Sequence, residues 1–342
     1  GHRVKRVRYA EAFPLTDAVD LFAFNDQDQD CTVVIAGPTF CIINVNDADY
    51  RPLLHRLRPI LRRYPPEQRY LSMLASPDAD CLDLQDWSGR PLYKSAAGMK
   101  FAKTAGVQRA VRDLDVRNFI CSSFQHCYVH PESQWANSYM ISASELSGKL
   151  AASGITVHQP HSEINLSCPI SSSSCNPKGE HLHEHSEPTA TATATARPTA
   201  TALSSDDVQR SREFFQCVYG LSRHLDQLMV NDGFRTHEVW RSSRNKDPKR
   251  RMLFIAPGAL WNETIEEGYI DDLLLSNRCT VKCDNCHLYP YIGPLLGKMH
   301  AAGVRGPFDK FRFDLKYLIA DPRAWVARRR LPVMEAAYEN RE

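Results

Sequence analysis

Two runs of apolar, largely β-branched residues stand out first: Cys31-Thr-Val-Val-Ile-Ala and Thr39-Phe-Cys-Ile-Ile-Asn-Val, separated by Gly37-Pro38. Nearly continuous apolar character bounded by a turn signal predicts two buried strands or a core hairpin. The period then changes. Leu53, Leu54, Leu57, Ile60 and Leu61 recur at three- and four-residue spacing, with Arg51, Arg56, Arg58, Arg62 and Arg63 between them. That predicts a helix over 49–64, stopped by Pro65-Pro66. A strand over 70–75 and a helix over 94–113 follow. The β–β–α–β order points to a mixed N-terminal domain.

A stretch of different character begins near residue 160. Serine runs over 171–174, His181, His183 and His185 alternate with other residues, and Thr-Ala repeats over 189–196. Such a segment has little to bury and predicts a disordered linker or insert. Beyond it, Phe214, Phe215, Val218, Leu221, Leu225, Leu228 and Met229 predict one helix over 206–229, with Ser204, Ser205 or Asp206 as its cap. Met252-Leu-Phe-Ile-Ala reads as a strand, 269–275 as a short strand or helix end, and 311–319 as a helix. The expected fold class is α+β: a mixed domain over 1–155, a low-complexity insert over 156–205, and a helical, metal-knuckle region over 206–342.

Composition narrows the classes. Hydrophobic residues make up 43% of 342, enough for a sizeable core. Net charge is +2, so any nucleic-acid contact must come from local patches. Arg241, Arg244, Lys246, Lys249, Arg250 and Arg251 form one such patch; Arg328, Arg329 and Arg330 form another. No apolar run is long enough to predict a membrane span. Eleven cysteines, an odd number unevenly spaced, predict a reducing compartment with buried or metal-binding thiols. With no signal-peptide pattern, the sequons at Asn165 and Asn262 are expected to be unused.

Cys279-Thr-Val-Lys-Cys283-Asp-Asn-Cys286-His287 concentrates the ligand chemistry. Four readings compete. Zinc would take Cys283 and Cys286 as a knuckle, with Cys279, His287 or the upstream Cys121, Cys127, His126 and His130 completing four ligands. The Cys-x3-Cys-x2-Cys spacing resembles the iron–sulfur loop of radical S-adenosylmethionine enzymes. Cys283-x-x-Cys286-His287 matches the c-type haem attachment pattern. Lastly, the thiols would simply be buried. A redox or electron carrier is thus the alternative to a zinc scaffold, and a structural subunit of an organellar ribonucleoprotein is a third reading. Tyr269-Ile-Asp271-Asp272 lacks other polymerase motifs, and His161-Ser-Glu163 lacks the deaminase Pro-Cys-x-x-Cys. No glycine-rich phosphate loop or nucleophile elbow is present, so a non-enzymatic protein is expected.

Thr39-Phe-Cys-Ile-Ile-Asn-Val, Gln125-His126-Cys127 with Cys121, and Cys283-x-x-Cys286-His287-x-Tyr289 together resemble the beta- and gammaherpesvirus late-gene regulators that form a hub in the viral pre-initiation complex. The resemblance implies a structural zinc on Cys121, Cys127, Cys283 and Cys286. It also implies a scaffold in the host nucleus that bridges a viral TATA-binding-like factor, sister subunits and RNA polymerase II. The basic patches would then face acidic partners or promoter DNA.

Overall fold

The computed structural model describes residues 9–25, 31–46, 48–75, 81–92, 95–122, 127–159, 164, 166 and 201–330. The fold is α+β and is built on two sheets. Most of the low-complexity stretch, including all of 167–200, lies outside the described residues, as do the basic residues before Tyr9.

The first sheet takes the strands β1 (Phe13–Thr16), β2 (Val19–Asn25), β3 (Cys31–Ala36), β4 (Cys41–Asn46), β5 (Arg69–Leu74), β7 (Asn118–Ser122) and β8 (Thr156–His158) in that order. β1 to β4 run as an antiparallel meander; β4, β5, β7 and β8 are parallel. In the β3–β4 turn the Phe40 ring lies over Gly37, in the space that a Cβ would take, so a larger residue there would have to displace the ring. Alternation aims Cys41, Ile43 and Val45 of β4 at one buried face. Parallel strands require crossovers. These are α1 (Leu54–Leu61), α2 (Ala96–Leu114) and α3 (Ala143–Ala151), whose Leu57, Val107, Ala110, Leu146 and Leu150 share one core with those strands. α1 is shorter than the predicted 49–64, because Arg51–Leu53 forms a tighter turn that holds Pro52.

Between β5 and β7 the chain leaves this sheet. It adds β6 (Leu84–Asp86) to the edge of the second sheet, whose order is β10–β9–β11–β12–β6. The other members are β9 (Gln227–Asn231), β10 (Thr236–Arg241), β11 (Arg251–Ile255) and β12 (Thr280–Asp284). α2 spans both bodies: Met99 packs into the second core and Leu114 into the first. The division expected at the low-complexity stretch is therefore not the division between the sheets. Asn277 reinforces the junction: its side chain accepts from the Leu82 N–H at 2.7 Å and donates to the Tyr128 hydroxyl at 2.9 Å.

The helix predicted over 206–229 is three elements: a helix, a short 3-10 turn at Leu221–Arg223 and a strand. α4 (Ser205–Gln216) starts at a capping box, in which Ser204 Oγ accepts the Asp207 N–H at 3.2 Å and Asp207 accepts the Ser204 N–H at 2.8 Å. It ends before Gly220, whose φ of 86° breaks the helix. Leu228 and Val230 belong to β9, so the apparent helical spacing was the sum of a helix and a period-two strand. α5 (Gly258–Glu267) and α6 (Ile270–Leu275) cover the second sheet, burying Trp261, Ile270 and Leu274. α7 (Pro307–Ala320) and α8 (Pro322–Arg330) then return the chain to the first body, where Ala324 is buried. No helix among the described residues is long and apolar enough to cross a membrane.

Candidate functional site

One end of the second sheet collects the basic patch at 241–251 and the end of the cysteine motif at 279–287, which are separate in the sequence. Antiparallel register sets Arg251 beside Asp284 and Met252 beside Cys283, while β6 brings Asp86 next to Cys283 on the other side. The 242–250 loop joins β10 to β11 at this same end, and the turn from Cys283 to Cys286 caps β12.

Asp226 organises the loop. It is 2% exposed and sits just before β9. Its carboxylate accepts the backbone N–H groups of Lys249 at 3.2 Å and Arg250 at 2.9 Å, and the Arg250 guanidinium at 2.8 Å. Its carbonyl accepts the Ser242 N–H at 2.9 Å, so both ends of the loop are tied to one residue. The hydrogen bond from Arg250 outweighs burial and holds the carboxyl down at about 2.

The guanidiniums of this patch divide into two sets. Arg241 is spent on Glu238 at 2.6 Å, Arg250 on Asp226, and Arg251 on Asp284 at 2.6 Å. Arg251 also lies 4.3 Å from the centroid of the Trp87 ring. Arg244, Lys246 and Lys249 are exposed, and their side chains form no ion pair among the described residues. Those three cations face outward from a loop whose backbone is pinned. The side chains of Arg328, Arg329 and Arg330 lie outside what the structure describes.

The thiol turn abuts the loop. Asn285 adopts φ of 52°, a conformation that asparagine tolerates, and its side-chain amide donates to the Lys249 carbonyl at 3.2 Å. Cys286 Sγ lies 3.1 Å from the Arg251 carbonyl. Cys283 donates to the Cys286 sulfur; that contact, with burial, pushes the Cys283 thiol well up, and the same contact lowers Cys286. The Leu288 N–H is directed at the Cys283 sulfur.

The other nominated ligands lie elsewhere. Cys279 precedes β12; four residues of extended chain separate it from Cys283 by about 13 Å, whereas two sulfurs on one zinc, each about 2.3 Å from the metal, are under about 5 Å apart. Its neighbour is instead Cys81, whose thiol donates to the Cys279 sulfur and is pushed up by that contact and by burial. Cys121 is in β7, in the first core, where burial raises its thiol to about 12. Cys127 and His287 are exposed, and His126 lies outside the described residues. Among the described residues no three His, Cys, Asp or Glu side chains stand together as a metal site. Among the described residues no four of the candidates Cys283, Cys286, Cys279, His287, Cys121 and Cys127 are brought together; Cys283 and Cys286 have the adjacency of half a knuckle.

The sequence reading overlooked three residues: Asp226, Trp87 and Cys81. Asp226 fell inside the over-long helix. Trp87 and Cys81 flank a three-residue strand too short to show a period.

No protein-family model, no curated protein and no solved structure matches the chain.

Proposed function

We propose that this chain is a non-enzymatic scaffold of a nucleic-acid-related assembly, which engages a polyanion through the 242–250 loop. The observation that carries the reading is the pinned loop. Asp226 ties down the end of the loop backbone while Arg244, Lys246 and Lys249 stay exposed and unpaired, so charge is presented with less backbone left to order at binding. The resemblance to herpesvirus late-gene regulators gives this reading its sharpest form: a hub between transcription subunits and RNA polymerase II at late promoters. In that form Cys283 and Cys286 would supply two thiolates of a structural zinc, holding the turn against the loop.

Titration of labelled duplex DNA at several salt concentrations tests the reading. Each cation withdrawn from a phosphate should flatten the slope of log affinity against log salt by about 0.9. The triple variant R244E/K246E/K249E is expected to weaken binding at least about tenfold and flatten that slope by two to three such steps. Unchanged affinity and slope would overturn the reading.

A second reading has its own observation: the Cys283 and Cys286 thiols stand side by side at the turn after β12, the adjacency of a dithiol redox pair. Elemental analysis with a visible spectrum separates the two. About one zinc per chain without colour supports the scaffold with its knuckle. Metal-free protein whose Cys283 and Cys286 cycle reversibly to a disulfide supports the redox pair.

A further inference from the structure

α7 carries an apolar stripe that the rest of the described chain covers only in part. Phe308, Phe311, Leu315, Leu318 and Ile319 recur at three- and four-residue spacing and so share one face. Phe308 is 68% exposed, Phe311 60% and Ile319 72%, while Leu315 and Leu318 between them are half-buried. The opposite face holds the helix to the protein: Tyr317 is buried, and Phe313 packs edge-on against it with ring centroids 5.0 Å apart. α7 therefore has two apolar faces, and the first is covered only in part.

Charge beside the stripe is of one sign. Arg312 lies 5.9 Å from the centroid of the Phe308 ring, and Lys316 follows it one turn on. Neither forms an ion pair among the described residues. On the far flank Lys310 and Asp314 neutralise each other at 2.5 Å.

We infer that the exposed face of α7 is a docking surface for an acidic amphipathic helix of a partner protein. A narrow stripe at helical spacing is the surface that a second helix packs against. The unpaired Arg312 and Lys316 on one flank select a partner with carboxylates there. A second copy of this chain is disfavoured, because antiparallel pairing would set Arg312 and Lys316 against the same cations of its twin. This surface is independent of the 242–250 loop.

Two synthetic peptides of about 18 residues, both with leucines at helical spacing, provide the probe; one has glutamates and the other lysines flanking the leucines. Each is titrated into the full chain by fluorescence anisotropy. The glutamate peptide is expected to bind and the lysine peptide not. F308S/F311S should abolish binding. R312E/K316E should weaken the glutamate peptide about tenfold or more and create affinity for the lysine peptide, a reversal that misfolding could not produce. Circular dichroism confirms that both variants keep the native helix content. Neither should alter DNA binding, so failure here is distinct from failure of the loop reading. The inference is overturned if neither peptide binds, if both bind alike, or if the reversal does not appear. It is also overturned if the stripe variants instead abolish a dimer seen by sedimentation, or binding to phosphatidylserine vesicles.

Discussion

Asp226 grips Arg250 three times over: its carboxylate accepts that residue's backbone N–H at 2.9 Å and its guanidinium at 2.8 Å, while its own N–H donates to the Arg250 carbonyl at 2.8 Å. The pair closes the basic loop and defines the start of two adjacent parallel strands. Arg250 holds the Asp226 carboxyl at about 2, below its ordinary 3.8. A depressed carboxylate stabilises the fold above the unfolded-state value and loses that contribution as pH falls through the folded-state value. Asp226→Asn is therefore expected to cost roughly 2–3 kcal/mol at neutral pH, and the difference from wild type should shrink between about pH 4 and pH 2. Urea melts across that range read the effect; a pH-independent difference would mean that the ion pair contributes nothing.

The cysteines should separate by burial when alkylated. Cys41 and Cys121 are buried, and burial raises each thiol to about 12, with Arg63 and Arg69 only partly offsetting it at Cys41. At pH 8 a thiol with that pKa is ionised to about one part in ten thousand, and the thiolate is the reactive form. Cys31, Cys127 and Cys217 are exposed. Among the cysteines in the described residues, brief iodoacetamide treatment followed by peptide mass spectrometry should label those three first. Labelling of Cys121 together with Cys127 under native conditions would contradict its place in the first core.

What could be read from the sequence was local. β3 and β4, with their near-continuous apolar runs, and α2, with its long three/four spacing, lie where periodicity puts them. Pairing across the chain was not readable. Cys279 looked like a ligand of Cys283 because nine residues held three thiols, but extended chain carries four residues too far for a shared ion. β6 has three residues, fewer than any period can reveal, and its partner β12 lies almost 200 residues downstream. Asp226 was hidden because a helix, a 3-10 turn and a strand in succession imitated one longer helix. The basic run at 241–251 was legible as charge, but which of its members remain unpaired depends on Glu238, Asp226 and Asp284, and so on tertiary contact.

The exchange of β6 has a consequence for fragments. A piece containing only residues 201–342 lacks the edge strand, the Asp83 carbonyl that accepts the Val281 N–H at 2.9 Å, and two partners of the buried Asn277 side chain, the Leu82 N–H and the Tyr128 hydroxyl. Buried polar groups left without partners cost about 1–3 kcal/mol each. That fragment should be insoluble or unfolded alone and should become soluble when co-expressed with residues 1–160. Asn277→Ala in the intact chain should lower stability by a comparable amount. Independent, cooperative folding of 201–342 would show that β6 is dispensable.

Trp261 tests the centre of the second core. Its side chain is fully buried between Phe215, at a ring-centroid distance of 6.0 Å, and Phe254, at 5.5 Å. Its indole N–H donates to the buried Ser211 hydroxyl at 2.9 Å. Two kinds of energy are thus combined in one residue and can be separated by substitution. Trp261→Ala removes the ring and leaves a cavity, with an expected loss of about 3–5 kcal/mol. Ser211→Ala keeps the packing but strands the indole donor where water cannot reach it, for about 1–3 kcal/mol. Trp261→Phe keeps most of the ring but removes the indole donor, and combined with Ser211→Ala it removes both polar groups together, so W261F/S211A should be less destabilised than the sum of W261F and S211A. Urea denaturation of the wild type, W261F, S211A and W261F/S211A measures the coupling. Strict additivity would mean that the hydroxyl and the indole do not depend on each other, and that the aromatic contacts alone hold α4 and α5 against the sheet.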